Sequence, residues 1–264
     1  MVKPKKHLGQ HFLKDQPTAL RIVSLFSGHL NPELLVEIGP GTGVLTQHLL
    51  EPKPWKFLAA DVDDESISYL KTNFPFHQDK FVNQDFLNWR PDKEGLQSLA
   101  VIGNFPYNIS SQIFFHILEL PILVTEVVCM LQKEVAERIA SGPGSKEYGI
   151  LSVLLQSRYR IAYAFTVPPE VFLPPPKVRS GVIRLEWREG KVLICRFSNL
   201  KKLVKQAFNM RRKTLRNALK PIGILKDPAF SSWYDKRAEQ LTVDEFEQLA
   251  AAYEKEGLLK ISAA

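Results

Sequence analysis

Short β-type runs, mostly apolar, recur through the first two-thirds of the chain, at Leu34–Ile38, Lys56–Ala60, Lys80–Asn83, Leu99–Gly103 and Leu123–Met130. Segments with helical character fill the gaps, around Gly43–Leu50, Asp64–Asn73, Ser110–Leu118 and Gln132–Ala140. Strands that alternate with helices predict a doubly wound, Rossmann-like α/β sheet with parallel strands. Two further strand-like runs, Arg158–Val167 and Ser180–Trp187, are separated only by a proline-rich stretch too short for a crossover helix, so they are expected to form a hairpin. After Trp187 the pattern changes. Leu200, Leu203, Val204, Ala207 and Phe208 form one helical stripe behind Ser198, a good N-cap, with lysines on the opposite face. Thr242 and Glu245 match a capping box, and Leu241 with Phe246 a hydrophobic staple, at the start of a last helix. The sequence therefore divides into an α/β domain, residues 1–187, and a small helical domain, residues 188–264.

Composition sharpens this picture only where the charge is located. The last 77 residues carry 16 basic and 9 acidic side chains, so the whole net charge of +7 resides there and residues 1–187 are neutral. Within the tail, residues 188–226 hold 12 basic residues against Glu189 alone. Charge alone fits a solvated face as well as a nucleic-acid surface, and attachment to an α/β enzyme favours the second. Cys129 and Cys195 have neither CxxC spacing nor a histidine at ligand spacing, so no disulfide framework and no metal site is expected. No stretch has the length or apolarity of a signal peptide or membrane span, and a cytoplasmic location is expected.

The candidate chemistry lies at the ends of the predicted strands. Glu37-Ile38-Gly39-Pro40-Gly41-Thr42-Gly43 follows a strand and opens a helix, where glycines let a cofactor approach the backbone. Such a turn is a weak signal alone, but its GxGxG spacing and the stiffening by Pro40 favour S-adenosyl-L-methionine over a dinucleotide. Asp61 ends the next strand about 20 residues later, where a carboxylate can accept both ribose hydroxyls. Asp63, Asp64 and Glu65 beside it read better as a helix start. Asp85 could accept the cofactor's adenine amine while Phe86 packs on the ring, although an aspartate there is also an ordinary turn residue. Asn104-Phe105-Pro106-Tyr107 follows the strand expected beside the first, so both turns should face one crevice. Adenine's amine is a poor nucleophile because its lone pair is delocalised. The Asn104 side-chain oxygen and a backbone carbonyl fixed by Pro106 could accept its two hydrogens and turn the lone pair toward a methyl donor. Tyr107 could stack on an extruded base.

Together these segments resemble the ribosomal RNA small-subunit adenine N6,N6-dimethyltransferase family over nearly the whole chain. The resemblance rests on residues 7–15, the glycine turn, Asp61–Asp63, Gln84–Leu87, the segment 104–118, the loop 171–185 and the basic run 208–219. It implies a seven-stranded class I methyltransferase sheet and S-adenosyl-L-methionine as cofactor, with S-adenosyl-L-homocysteine as product and no metal. By position it implies cofactor contacts at His11, Leu13, Gly39, Asp61, Asp85 and Asn104, to which the residue reading adds Gly41 and Phe86. Asn104 and Tyr107, with Phe105 and Pro106 between them, are implied to handle the target adenine, and Phe172 is a second aromatic near it. The implied partners are small-subunit ribosomal RNA and the immature small ribosomal subunit, with no membrane and a monomeric enzyme. Three departures stand out: His11 where the family usually has Asn, Phe105 where it has Leu, and Asp61 where Glu is commoner. Rival readings are a sibling acting on large-subunit RNA, an assembly factor with vestigial catalysis, and a dehydrogenase, in which Asn104–Tyr107 has no role.

Overall fold

The structure, a computed structural model, describes residues 2–259. Contacts divide the chain into two units: the chain up to Glu137 together with Arg160–Trp187, and Arg138–Tyr159 together with the chain from Arg188 onward. The division falls after Trp187 and sets Arg138–Tyr159 with the helical unit, whereas the sequence places all of residues 1–187 in the α/β domain. The reason lies in helix α6 below. It is buried on most of its residues, and its apolar surface is covered by helices of the tail.

The first unit is built on seven strands: β1 (Leu34–Ile38), β2 (Lys56–Asp61), β3 (Phe81–Asn83), β4 (Ser98–Asn104), β5 (Leu123–Gln132), β6 (Tyr159–Val167) and β7 (Ser180–Trp187). Their order across the sheet is β3-β2-β1-β4-β5-β7-β6. The first five are parallel, and β7 enters antiparallel to β5 with Ser180 opposite Gln132. β6 and β7 are hydrogen-bonded neighbours, as expected for a hairpin. Every residue of β1 is buried, as in a strand covered on both faces. The order reverses between β1 and β4, which opens a crevice beyond their carboxyl ends. Gly103 lets these two strands approach there, since a Cβ on it would lie 2.4 Å from the Ile38 carbonyl oxygen. Neither backbone can yield cheaply. Gly103→Ala is therefore expected to cost about 1–3 kcal/mol of stability, and an unchanged urea midpoint would show that the strands relax freely.

The helices are α1 (Gln16–Ser24), α2 (Thr46–Leu49), α3 (Asp64–Asn73), α4 (Ser110–Glu119), α5 (Lys133–Ala140), α6 (Ile150–Gln156), α7 (Phe197–Asn209), α8 (Leu215–Ala218) and α9 (Val243–Lys255). α2 is shorter than the Gly43–Leu50 expected. Gly39, Gly41 and Gly43 have φ of 67°, 55° and 81°, so the chain turns through left-handed conformations before it can become helical. Asp63 caps α3 by accepting the Glu65 amide at 3.1 Å, the helix-start role read from the sequence. A two-residue strand at Phe12–Leu13 pairs antiparallel with Phe172–Leu173, which joins the N-terminal segment to the proline loop.

In the second unit the stripe Leu200, Leu203, Val204 and Ala207 is fully buried. α7 starts one residue before Ser198, with Arg196 at its N-cap, so Ser198 lies inside the helix. Phe208 stacks on Phe246 with centroids 5.9 Å apart, and Tyr148 meets Phe208 edge-on at 6.2 Å. The capping box of α9 forms as read: Thr242 and Glu245 exchange bonds of 2.7 and 3.1 Å.

Candidate active site

Four segments of the first unit line one cleft: Leu8–Phe12, Gly39 with Gly41, Asp61 with Val62, and Asn104–Ile109. Each comes from the carboxyl end of a central strand or from the N-terminal segment lying across those ends. Of the expected residues, His11, Gly39, Gly41, Asp61, Asn104, Phe105, Pro106 and Tyr107 meet here. A Cβ on Gly41 would strike the Phe12 ring at 2.7 Å, and one on Gly39 would face the Asn104 carbonyl oxygen at 3.6 Å. The glycine turn is thus a cradle that side chains would fill.

Asn104 is the pivot. Its Nδ2 donates to the His11 carbonyl oxygen at 2.8 Å, which fixes the amide's orientation, while its Oδ1 is buried and accepts no hydrogen bond among the described residues. An unsatisfied buried acceptor costs about 1–3 kcal/mol, so in a native site it calls for a donor from outside the protein. Phe105 is 1% exposed and packs on Phe114 at 5.8 Å, while its amide donates to the Met130 carbonyl oxygen at 2.9 Å. The turn is thereby anchored to β5.

Asp61 is 8% exposed and accepts the Asp63 amide at 3.0 Å, with further bonds from Gly41 and Val62. Burial pushes its carboxyl up to about 6, and the nearby Asp63 charge adds to the rise. Glu37, beneath the glycine turn, accepts the Thr46 hydroxyl at 2.7 Å. Burial raises it to about 8, with Asp61 contributing in the same direction. The N-terminal segment is clasped over the cleft through Asp63, which takes an ion pair from Lys5 and accepts Gln10 Nε2 at 3.1 Å. His11 Nδ1 lies 2.8 Å from the Pro174 carbonyl oxygen.

Four expected residues lie off the cleft. Leu13 is 3% exposed and borders an adjoining hollow with Glu37, Gly39 and Asn104. Asp85 caps its own turn, accepting the Leu87 amide at 2.9 Å and Asn88 Nδ2 at 2.5 Å. Phe86 is 4% exposed and packs against His116 and Trp89, with centroids 5.2 and 6.2 Å away, because its side chain falls on the core side of that turn. Phe172 is 1% exposed and part of the main hydrophobic core, since pairing with Leu13 points its ring inward. In this structure neither aromatic faces the cleft. Sequence reasoning missed Gln10, Phe12 and Val62 on the cleft wall and Glu37 beneath it. Gln10, Phe12 and Val62 lie inside segments that carry the family resemblance, and Glu37 stands out as a charged residue inside an otherwise apolar strand.

Seven strands in this order, ending in an antiparallel strand, with a glycine turn facing an Asn-Phe-Pro-Tyr turn across the switch point, define a class I methyltransferase. The chain belongs to the ribosomal RNA adenine dimethylase family, whose sequence profile matches residues 1–255. It is similar to ribosomal RNA small subunit methyltransferase A of Cytophaga hutchinsonii, with 52% identity over 250 residues, 93% of this chain and 95% of that protein. The protein of the same name from Flavobacterium johnsoniae is 48% identical over 259 residues, 97% of this chain and 98% of that one. Among solved structures, a dimethyladenosine transferase from Plasmodium falciparum superposes with a TM-score of 0.76 at 24% identity, covering 94% of this chain and 98% of that one. The 23S rRNA methyltransferase ErmE does so with a TM-score of 0.67 at 24% identity, covering 90% and 98%. These two likenesses show the shared fold. No helix among the described residues is long and apolar enough to cross a membrane.

Proposed function

We propose that this methyltransferase uses S-adenosyl-L-methionine to place two methyl groups on the N6 amine of each of two adjacent adenosines in a hairpin near the 3′ end of small-subunit ribosomal RNA. Its substrate is the immature small subunit, on which it acts as a monomer in the cytoplasm. The observation that carries the reading is the buried Oδ1 of Asn104, which has no partner among the described residues, in the cleft that also holds Asp61 and the glycine cradle. The relatives' names support the small subunit as substrate.

The residues present fit the cofactor. When bound, S-adenosyl-L-methionine supplies an electrophilic methyl on a sulfonium. Asp61 accepts the ribose hydroxyls, and Gly39 and Gly41 leave room against the backbone. Asn104 Oδ1 and the Phe105 carbonyl accept the two amine hydrogens, which draws the nitrogen toward a tetrahedral state and localises its lone pair for attack on the methyl group. Tyr107 stacks on the extruded base. Mapping dimethylated adenines in ribosomal RNA from cells with and without this protein tests the reading. Two adjacent sites near the 3′ end of the small-subunit RNA should disappear, and an unchanged pattern would overturn it.

The basic tail is the candidate RNA-docking surface, but its arginines are not equivalent. Arg211 is held by Glu239 at 2.7 Å and by the Lys146 carbonyl, and Arg216 pairs with Asp235 at 2.9 Å. Arg212 and Lys213 are exposed and have no ion-pair partner among the described residues. Replacing both by Ala should flatten the salt dependence of subunit binding by about 0.7–0.9 log unit for each RNA phosphate left unneutralised. Equal slopes for the two proteins across a salt series would assign these side chains to solvent.

A further inference from the structure

We propose that Ser180 is a positioning residue that makes Tyr107 a stacking platform with a single usable face; this rests on the reading of Tyr107 as the partner of the target base. Ser180 opens β7 and is fixed opposite Gln132 of β5, with the Arg179 carbonyl accepting the Lys133 amide at 3.0 Å. It is fully buried, and its Oγ lies 2.5 Å from the Tyr107 hydroxyl. At the other end of the tyrosine, Pro106 restricts the backbone and Ser110 Oγ donates to the Tyr107 carbonyl at 3.4 Å. The ring is therefore held at both its hydroxyl and its backbone ends.

The third restraint is His11, whose ring centre lies 5.4 Å from that of Tyr107 with the planes inclined by 31°. A base inserted between two rings needs roughly 7 Å, two contacts of about 3.5 Å each. The His11 side is closed to it, and the adenine must take the opposite face. Burial raises the Tyr107 phenol, so it stays protonated at neutral pH and remains a hydrogen-bonding partner for Ser180. Removing that bond lets the ring turn about its side-chain torsions. The base then spends less time aligned with the methyl donor, an effect on turnover and not on affinity.

The test is a double-mutant cycle on the full chain, with small subunits lacking the modification as substrate. Ser180→Ala and Tyr107→Phe should each lower kcat about 3–10-fold, with KM for the subunit and calorimetric affinity for S-adenosyl-L-homocysteine unchanged. The double variant should be no slower than the slower single one. Effects that multiply would overturn the pairing, as would a Ser180→Ala enzyme with wild-type kcat. Should Ser180→Ala fail to fold, Tyr107→Phe carries the test alone. With 2-aminopurine at the target position, its quenching by the stacked ring should weaken in the variant, and equal quenching would overturn the proposal. A wild-type enzyme that transfers no methyl group to adenine would instead refute the underlying reading.

Discussion

Asn104→Ala is expected to lower methyl transfer by on the order of 100-fold or more, the scale for removing one preorganised polar contact to a reacting group. On the proposed reading the amide faces the reacting amine and no part of the RNA backbone, so the loss should appear in kcat, with binding to the small subunit nearly unchanged. The same amide also holds the N-terminal segment through the His11 carbonyl, so some loss of cofactor affinity should accompany it. Asn104→Asp separates the two roles. It keeps an acceptor for the amine but cannot donate to His11, and it should retain more activity than Ala. Single-turnover kinetics with saturating subunit would decide. A variant with near-normal turnover and collapsed RNA affinity would remove Asn104 from the chemistry.

The second large effect is expected at Asp61. Asp61→Asn should weaken cofactor binding at pH 7.5 by about 1–3 kcal/mol, the loss of charge-assisted hydrogen bonds. On the proposed reading the ionised form accepts the ribose hydroxyls, and burial pushes the free enzyme's carboxyl up to about 6. Wild-type affinity should therefore fall as pH drops through 6, by about tenfold at pH 5, while the Asn variant stays nearly flat. Stability runs the other way. A folded value raised above the unfolded one means that the native state binds this proton more tightly. Ionising Asp61 thus costs stability as pH rises from about 4 to 6, up to about 3 kcal/mol above that window. Glu37, raised to about 8, extends the same trend upward. Urea unfolding at pH 4.5, 6 and 7.5 should show a smaller pH dependence in Asp61→Asn than in the wild type, and identical slopes would refute the assignment.

What could be read from the sequence was set by where each signal resides. The strands were legible because apolar runs such as Leu34–Ile38, interrupted only by Glu37, encode burial on both faces, whatever the rest of the chain does. α6 was not, because Ile150–Gln156 is apolar nearly all round and gives no 3.6-residue period. α1 was missed although Asp15 caps it, since nine residues behind a recognisable motif leave little room for a pattern. At the site, motifs local in sequence were placed well: the glycine turn, Asp61 and Asn104–Tyr107 all reach one cleft. The misplacements involve side chains whose direction depends on partners far along the chain. Phe172 turns inward because Leu13 pairs with it, and Phe86 because His116 and Trp89 receive it. The clasp of Lys5 and Gln10 on Asp63 was equally invisible, being an agreement between residues more than fifty positions apart.

Pairing of Phe12–Leu13 with Phe172–Leu173 also bears on how the protein is made. A nascent chain emerging from the ribosome can assemble the five parallel strands once β5 has appeared, and Asp63 and Asn104 are then available to Gln10 and His11, yet the Phe12–Leu13 strand lacks its partner until the proline loop follows some forty residues later. Domains fold as their residues become available. The edge of the cleft at Phe12 is therefore closed only after the scaffold beneath it, when Phe172–Leu173 has been made and can pair with the N-terminal segment.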